Sequence, residues 1–162
     1  GDVVTSVIKC ANGQTIVLSH DTNSPRPYSL NFRVQGTQGI WMKDNKSIYI
    51  EGLSPENHRW ESENKYLNEY DHPLWKRFSG SKDDLSQAGH GGMDFFIARA
   101  FIESIKGAKK PVIDVYDAVS MSVIVPLSES SIKSGSMPIK IPDFTRGKWK
   151  KNKPIFGLDD NY

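Results

Sequence analysis

The stretch of this chain best suited to chemistry is its most glycine-dense segment, Gly89-His90-Gly91-Gly92-Met93-Asp94, which leads directly into an amphipathic pattern. A glycine-rich turn at the start of a helix can direct free backbone N–H groups toward an anion. The glycine spacing is not that of a dinucleotide-binding loop, and the preceding residues 81–85 do not form a buried strand. We interpret the segment as a tight turn that lets the following helix pack close to a sheet.

Other side chains that commonly perform catalysis are present without a recognisable arrangement. The histidines lack the i, i+4 spacing of a zinc-binding helix, and the single Cys10 provides no cysteine cluster, so we predict no metal site. Cys10 lies in an apolar run and is interpreted as a small buried residue rather than a nucleophile. We find neither a nucleophile elbow nor a distinctive carboxylate pair. The four histidines are His20, His58, His72 and His90.

The first third of the chain has the residue pattern of β-strands. Asn12-Gly13 favours a hairpin turn between two β-branched runs, and polar and apolar residues alternate before Val34 as in a half-buried strand. We therefore predict one antiparallel sheet from Asp2 to Glu51. Its predicted strands cover 3–10, 15–19, 28–34, 40–42 and 47–51.

Two segments lack regular periodicity. The loop 20–27 contains Pro25 and Pro27, which prevent regular strand pairing and stiffen the backbone. The longer segment Gly52–Ala88 is polar and interrupted by aromatic residues, which predicts short helical turns docked by those rings. An irregular insertion of this length usually covers a site or an interface.

The second half of the chain is predicted to be helical. Apolar residues from Met93 to Ile105 recur on one helix face, and Gly107 provides the stop. We expect the helix Met93–Lys106 to pack on the sheet through its inner face. The side chains expected to make that contact are Phe96, Ala100 and Phe101.

A second helical segment follows Asp114, which is a suitable N-cap. Pro126 must kink or restart this segment, and Ser134-Gly135 ends it. Residues 137–141 are predicted to form a short closing strand. The tail 145–154 is basic and carries Trp149; solvated terminal charge explains such a tail more often than nucleic-acid binding does.

These elements predict an α+β fold in a single domain over residues 1–162, with a mostly antiparallel, open-faced sheet and helices packed on one face. With 162 residues, 37% hydrophobic and 25% charged, the chain has the composition of a folded globular domain. The formal net charge of +2 gives little support to nucleic-acid or membrane-surface binding. Composition and spacing alone name no reaction.

The helical half resembles the end of the C-terminal domain of the Gfo/Idh/MocA oxidoreductase family. In that family, an amphipathic helix is followed by a small-residue turn, a proline, an Asp-led helix, a serine, and a glycine before the last strand. Here these features are Phe95–Lys106, Gly107, Pro111, Asp114–Val125, Ser128–Ser131 and Gly135.

Several motifs, in the same order, more specifically resemble glycoside hydrolase family 109, and together they touch most of the chain. They are Ser24–Tyr28, His72–Trp75, Gly89–Asp94, Asp114–Ala118, Pro126–Glu129 and Pro142–Gly147.

This resemblance implies a longer enzyme with an N-terminal Rossmann domain that keeps NAD bound. Such enzymes cleave α-N-acetylgalactosaminides by transient oxidation at C3 of the sugar, elimination at C1, addition of water and return of the hydride. NAD-dependent hydrolysis is an exception to the use of two catalytic carboxylates, because the cofactor carries the difficult step.

The family's NAD loop and its catalytic His and Tyr residues precede the region represented here. The resemblance therefore implies no catalytic and no cofactor-binding residue within this chain, which alone would neither bind NAD nor turn over substrate. It would supply one wall of the sugar pocket and an oligomer surface.

Tyr28 matches a family tyrosine on the substrate side, so the resemblance implies that it binds substrate. A phenol can stack on a sugar and hydrogen-bond its hydroxyls. The alternative is a half-buried strand tyrosine. Arg26 and His90 are weaker substrate-binding candidates, since a loop arginine and a turn histidine are commonly ordinary surface residues.

The alternative function is a non-catalytic structural or oligomerisation domain of another sugar oxidoreductase in the Gfo/Idh/MocA family. In either case the expected partners are the Rossmann domain of the same protein, a sugar substrate and further copies of the chain, with no nucleic acid and no membrane. Relatives often carry a twin-arginine leader, so the resemblance leaves periplasmic, secreted and cytoplasmic locations open.

Overall fold

A computed structural model describes residues 1–78 and 89–152, and over those residues it is an α+β fold, as the sequence predicts. The strands are β1 (Val3–Lys9), β2 (Thr15–Asp21), β3 (Arg33–Gln35), β4 (Gly39–Met42), β5 (Ser47–Ile50) and β6 (Glu61–Ser62). The helices are α1 (Asn64–Tyr70), α2 (Pro73–Phe78), α3 (Met93–Lys106), α4 (Val115–Ser122) and α5 (Ile124–Lys133).

The described residues divide into two compact units. Residues 1–24 and 89–152 form the first unit, and residues 25–78 form the second. The first contains the two-stranded sheet β1–β2, and the second contains the four-stranded sheet β3–β4–β5–β6. The single sheet predicted from Asp2 to Glu51 is therefore wrong.

The break between the sheets lies in the segment that follows β2. Pro25 and Pro27 have no backbone N–H to donate to a neighbouring strand, and Asn31 adopts a left-handed backbone with φ of 45°. Residues 28–32 consequently form no strand, although their polar and apolar residues alternate. Regular pairing begins only at Arg33.

In the first unit, β1 and β2 form the predicted antiparallel hairpin, with Val7 opposite Val17. The pairing continues to Cys10, whose N–H donates to the Gln14 carbonyl at 2.8 Å. Gly13 closes the turn with φ of 94°, a conformation that favours glycine. The turn is thus a three-residue loop with glycine in the left-handed position, rather than a two-residue Asn-Gly turn.

Helix α3 has the predicted bounds but not the predicted packing. Phe96 and Ala100 are half-buried, whereas Phe101 is 63% exposed. The residue that α3 buries is Ser104, whose hydroxyl donates to the Ala100 carbonyl at 2.7 Å. The predicted contact through Phe101 is therefore wrong, because periodicity identifies an apolar face without identifying what covers it.

Helices α4 and α5 follow the local signals in the sequence. The Asp114 side chain accepts hydrogen bonds from the N–H groups of Tyr116 and Asp117, and the Asp117 carboxylate accepts from the Asp114 N–H. Pro126 lies in the first turn of α5, where its missing N–H costs no helical hydrogen bond. Residues 137–141 form no strand, which corrects that prediction: Pro138 interrupts this short segment and cannot donate to a sheet.

In the second unit the strands form an antiparallel meander against short helices. Gly39 is required in β4, because a Cβ there would lie 2.5 Å from the Tyr49 carbonyl oxygen of β5. Tyr66 of α1 is the one buried hydrophobic side chain among the described residues. The predicted short helices are confirmed as α1 and α2, and Tyr66 docks α1, whereas Tyr70 is 66% exposed. Residues 79–88, including 81–85, and residues 153–154 of the basic tail lie outside the described ranges.

Candidate functional site

Tyr28 projects from the proline-containing loop of the second unit and is 89% exposed. It is not on a strand, so the alternative of a half-buried strand tyrosine is wrong. The ring has both faces and its hydroxyl available to a ligand. An aromatic ring in this position can cover the apolar face of a sugar while its hydroxyl bonds to a polar group.

The backbone on either side of Tyr28 is held by polar contacts. The Arg26 guanidinium donates to the Ser29 carbonyl at 2.9 Å. The Ser29 hydroxyl donates to the Asp44 carboxylate and accepts from the Asn31 N–H at 2.8 Å. This loop presents Tyr28 in a defined position, which lowers the entropy lost when the ring meets a ligand.

Arg26 has a structural role in this arrangement. Its side chain is exposed but engaged with the backbone of its own loop. A guanidinium is a donor group, and here it donates within the loop that carries Tyr28. The structure therefore brings Arg26 and Tyr28 together in one loop.

His90 lies in the first unit, at the turn that precedes α3. Three consecutive residues there have left-handed backbones, with φ of 47° at His90, 69° at Gly91 and 95° at Gly92. Positive φ is strained for histidine and easy for glycine, so the turn depends on its glycines. A Cβ at Gly89 would lie 2.2 Å from an oxygen of Asp94, so a larger residue there would displace the Asp94 carboxylate.

The Asp94 carboxylate orients the imidazole of His90. Nδ1 of His90 lies 3.0 Å from both carboxylate oxygens, and both side chains are exposed. A proton on Nδ1 is donated to the carboxylate, which leaves Nε2 to accept a proton or a hydrogen bond. Asp94 is a candidate functional residue that was not predicted from the sequence; its signal is the i, i+4 spacing from a histidine at a helix start.

The glycine-rich turn does not fit a dinucleotide phosphate. The Gly92 N–H, at the entrance to α3, donates to the Gly89 carbonyl at 3.0 Å and is not directed outward. The Asp94 carboxylate also places negative charge beside the same turn. These residues therefore do not form an NAD phosphate site.

The first unit also has an open, apolar groove of about 410 Å³ between α4, α5 and Phe144. Its one hydroxyl is that of Ser122, so it offers few polar groups to orient a sugar. Within residues 1–78 and 89–152, no group of three or more His, Cys, Asp and Glu residues could hold a metal ion. None of the helices in these ranges combines the length and apolar composition needed to cross a membrane.

Comparison with known protein families identifies the family of this chain. A family model described as "Glycosyl hydrolase 109, C-terminal domain" matches residues 1–151. The chain belongs to this family. The match includes the Tyr28 loop and the His90 turn, so both candidate sites lie within family 109 sequence rather than in an unrelated extension.

Individual relatives agree with the family assignment. The chain is 54% identical to a glycosyl hydrolase family 109 protein of Stenotrophomonas maltophilia, over 100% of this chain and 35% of the relative. It is 49% identical to an alpha-N-acetylgalactosaminidase of Tannerella forsythia, over 98% and 33%, and 40% identical to one of Shewanella oneidensis, over 96% and 34%. The chain thus spans about a third of the length of these family 109 relatives.

Proposed function

We propose that this chain is the substrate-side, C-terminal domain of a longer NAD-dependent glycosidase that hydrolyses α-N-acetylgalactosaminides. The observation that carries the proposal is the family 109 match over residues 1–151, together with 49% identity to a relative named alpha-N-acetylgalactosaminidase. That relative is about three times longer than the matched part, so the remaining two thirds of such a protein would supply the cofactor site.

The residues of this chain would act on the sugar rather than on the cofactor. Tyr28, on its fixed loop, would stack on the substrate and bond to one hydroxyl. Arg26 would hold that loop through its bond to the Ser29 carbonyl. His90 is a separate candidate in the first unit, where Asp94 holds Nδ1 and Nε2 would exchange a hydrogen bond with a polar ligand group.

The rest of the longer protein would hold NAD, whose contribution would be reversible hydride transfer at the sugar. The His90 turn does not form an NAD phosphate site, and we assign no cofactor-binding residue to this chain. The part played by this chain would be to orient the sugar and to exclude water from it. On its own, it would not turn over substrate.

The exposed apolar faces of the first unit support binding to another domain or to a second copy of the chain. Ile97, Phe101 and Ile105 follow one another at helical spacing on α3, and each is more than 60% exposed. Val7 and Val17, paired across the hairpin, are also more than 60% exposed. Contiguous apolar surface of this kind marks interaction sites. We propose that the Rossmann domain of the longer protein, or a second copy, covers these faces.

The function is tested by assaying the full-length protein on p-nitrophenyl α-N-acetylgalactosaminide, with and without added NAD, and with the β-linked substrate as a control. We expect release of p-nitrophenol from the α-linked substrate without net consumption of NAD, and no release by the chain alone. Net NADH formation from free sugar, without cleavage of the α-linked substrate, would instead favour a sugar oxidoreductase.

The role of Tyr28 is tested in the same full-length protein. Tyr28→Phe keeps the ring and loses one hydrogen bond. We therefore expect a several-fold lower kcat/KM, which corresponds to a loss of about 0.5–1.5 kcal/mol in transition-state stabilisation. Tyr28→Ala should be clearly worse because the stacking surface is also lost, while bound NAD stays unchanged. Full activity of Tyr28→Ala, with unchanged stability, would contradict a substrate-binding role.

A further inference from the structure

The basic turn, residues 143–151, is held in shape by a single carboxylate. Asp143 accepts hydrogen bonds from the Thr145 hydroxyl at 2.7 Å, the Thr145 N–H at 3.0 Å and the Gly147 N–H at 2.8 Å. The Thr145 hydroxyl in turn accepts from the Trp149 N–H at 3.1 Å. These bonds fix the turn before any partner arrives, and they leave Asp143 engaged with its own segment.

Four cationic side chains project from this turn, and all are exposed. Within the described ranges, none of them forms an ion pair with a carboxylate. Three lysines on or next to the helices of the same unit differ from them, because each of the three lies beside an acid. The four cations are those of Arg146, Lys148, Lys150 and Lys151; the paired lysines are Lys106 with Glu103, Lys110 with Asp114, and Lys133 with Glu129.

An aromatic face lies among these cations. The Trp149 indole is 37% exposed, and the Lys150 ammonium lies 5.8 Å from its ring centroid. A sugar ring can lie against an indole, and an ammonium beside it can pair with a carboxylate or sulfate on that sugar. The combination fits an acidic sugar better than an isolated anion.

Other polyanions fit this surface less well. A nucleic-acid site needs a broad basic face, whereas the chain has 21 basic and 19 acidic residues and a net charge of +2. A membrane-surface helix needs a long amphipathic segment, whereas the helical part of the turn spans only the four residues Lys148–Lys151. The observations therefore favour a short acidic oligosaccharide.

We propose that the basic turn is a docking surface for an acidic oligosaccharide, one that carries carboxylate or sulfate groups. This inference rests on the proposed glycosidase function and deepens it, because a substrate glycan that also carries acidic groups would be held at the turn; the acidic probe below tests that binding and is not itself a substrate. The turn would raise affinity for such chains, and it would not change the hydrolysis of a small neutral substrate.

The test measures binding of a fluorescent chondroitin sulfate hexasaccharide to the full-length protein, with a neutral chitin oligosaccharide and an oligothymidine of equal charge as comparison probes. The test variant is Lys148→Gln/Lys150→Gln/Lys151→Gln. The matched control, with the same change in net charge, is Lys106→Gln/Lys110→Gln/Lys133→Gln. We expect the test variant to bind the hexasaccharide roughly tenfold more weakly at low salt and the control variant to bind within about twofold of wild type.

Trp149→Leu and the single change Lys150→Gln provide milder variants should the triple variant fail to fold, and both should weaken binding. Equal affinity in the test and control variants would overturn the proposal, and so would oligothymidine binding as tight as that of the hexasaccharide. Hydrolysis of p-nitrophenyl α-N-acetylgalactosaminide is measured separately on every variant. Its absence in wild type would contradict the proposed function without altering the binding result.

Discussion

Helix α1 in the second unit and helix α3 in the first differ in what they bury. The seven-residue α1 buries Tyr66 at 7% exposure, and the Tyr66 hydroxyl donates to Glu61 at 2.8 Å. The fourteen-residue α3 buries only Ser104 and leaves Phe101 exposed. The short helix thus packs within its own unit through one hydrogen-bonded aromatic side chain, whereas the long amphipathic helix leaves its apolar stripe exposed.

The difference extends to the polar groups of the second unit. The Glu61 carboxylate accepts from both Ser54 and Tyr66, and the Trp41 indole N–H donates to Glu63. Each of these polar atoms therefore has a partner where it is shielded from water, which avoids the cost of an unsatisfied group. These polar groups of the second unit have hydrogen-bond partners, whereas α3 in the first unit leaves apolar side chains exposed. Three predictions test this contrast.

The largest expected effect is at Tyr66. Tyr66→Ala removes a buried ring and should destabilise the chain by roughly 3 kcal/mol, because the cavity cannot be filled by its neighbours. Tyr66→Phe removes only the bond to Glu61 and should cost about 1 kcal/mol. Urea unfolding followed by circular dichroism measures both, and equal effects of the two changes would contradict the importance of the ring.

A smaller effect is expected from acid. Hydrogen bonds from Ser54 and then Tyr66 hold the pKa of Glu61 below its usual value of 4.5. A carboxyl with a lowered pKa in the folded state stabilises the fold above its unfolded pKa, and this stabilisation is lost as pH falls through the folded value. The urea midpoint should therefore decrease below about pH 4.5.

Glu61→Gln provides the control for the acid prediction. Glutamine keeps an oxygen that can accept from Ser54 or Tyr66 and has no proton to gain, so the acid-dependent part of the change should become smaller. A variant with the same pH dependence as wild type would assign the acid effect to other carboxylates. The measurement is the urea midpoint at several pH values.

The smallest effect is expected at Phe101. Because this side chain is 63% exposed, Phe101→Ala should change the stability of the chain alone by less than about 0.5 kcal/mol. In the full-length protein the same change should cost more if a partner surface covers α3. An equally small effect of Phe101→Ala on the chain alone and on the full-length protein would show that the exposure of α3 does not indicate an interface.

The sequence by itself determined the local features of this protein. The bounds of α3, the capping of α4 by Asp114 and the restart of the helix near Pro126 were all predictable. Each depends on contacts between residues within about one turn of each other, or on the fixed geometry of a proline. The motifs around Tyr28 and His90 likewise identified the family that the comparisons confirm.

Only the tertiary structure decided which segments pair as strands and which side chains are buried. Residues 28–32 alternate like a strand but form a loop, and residues 137–141 find no strand partner among the described residues. The orientation of His90 by Asp94 and the exposure of Phe101 also appear only in three dimensions. Strand pairing and burial depend on residues distant along the chain, whereas alternation and amphipathicity specify a face without specifying its partner.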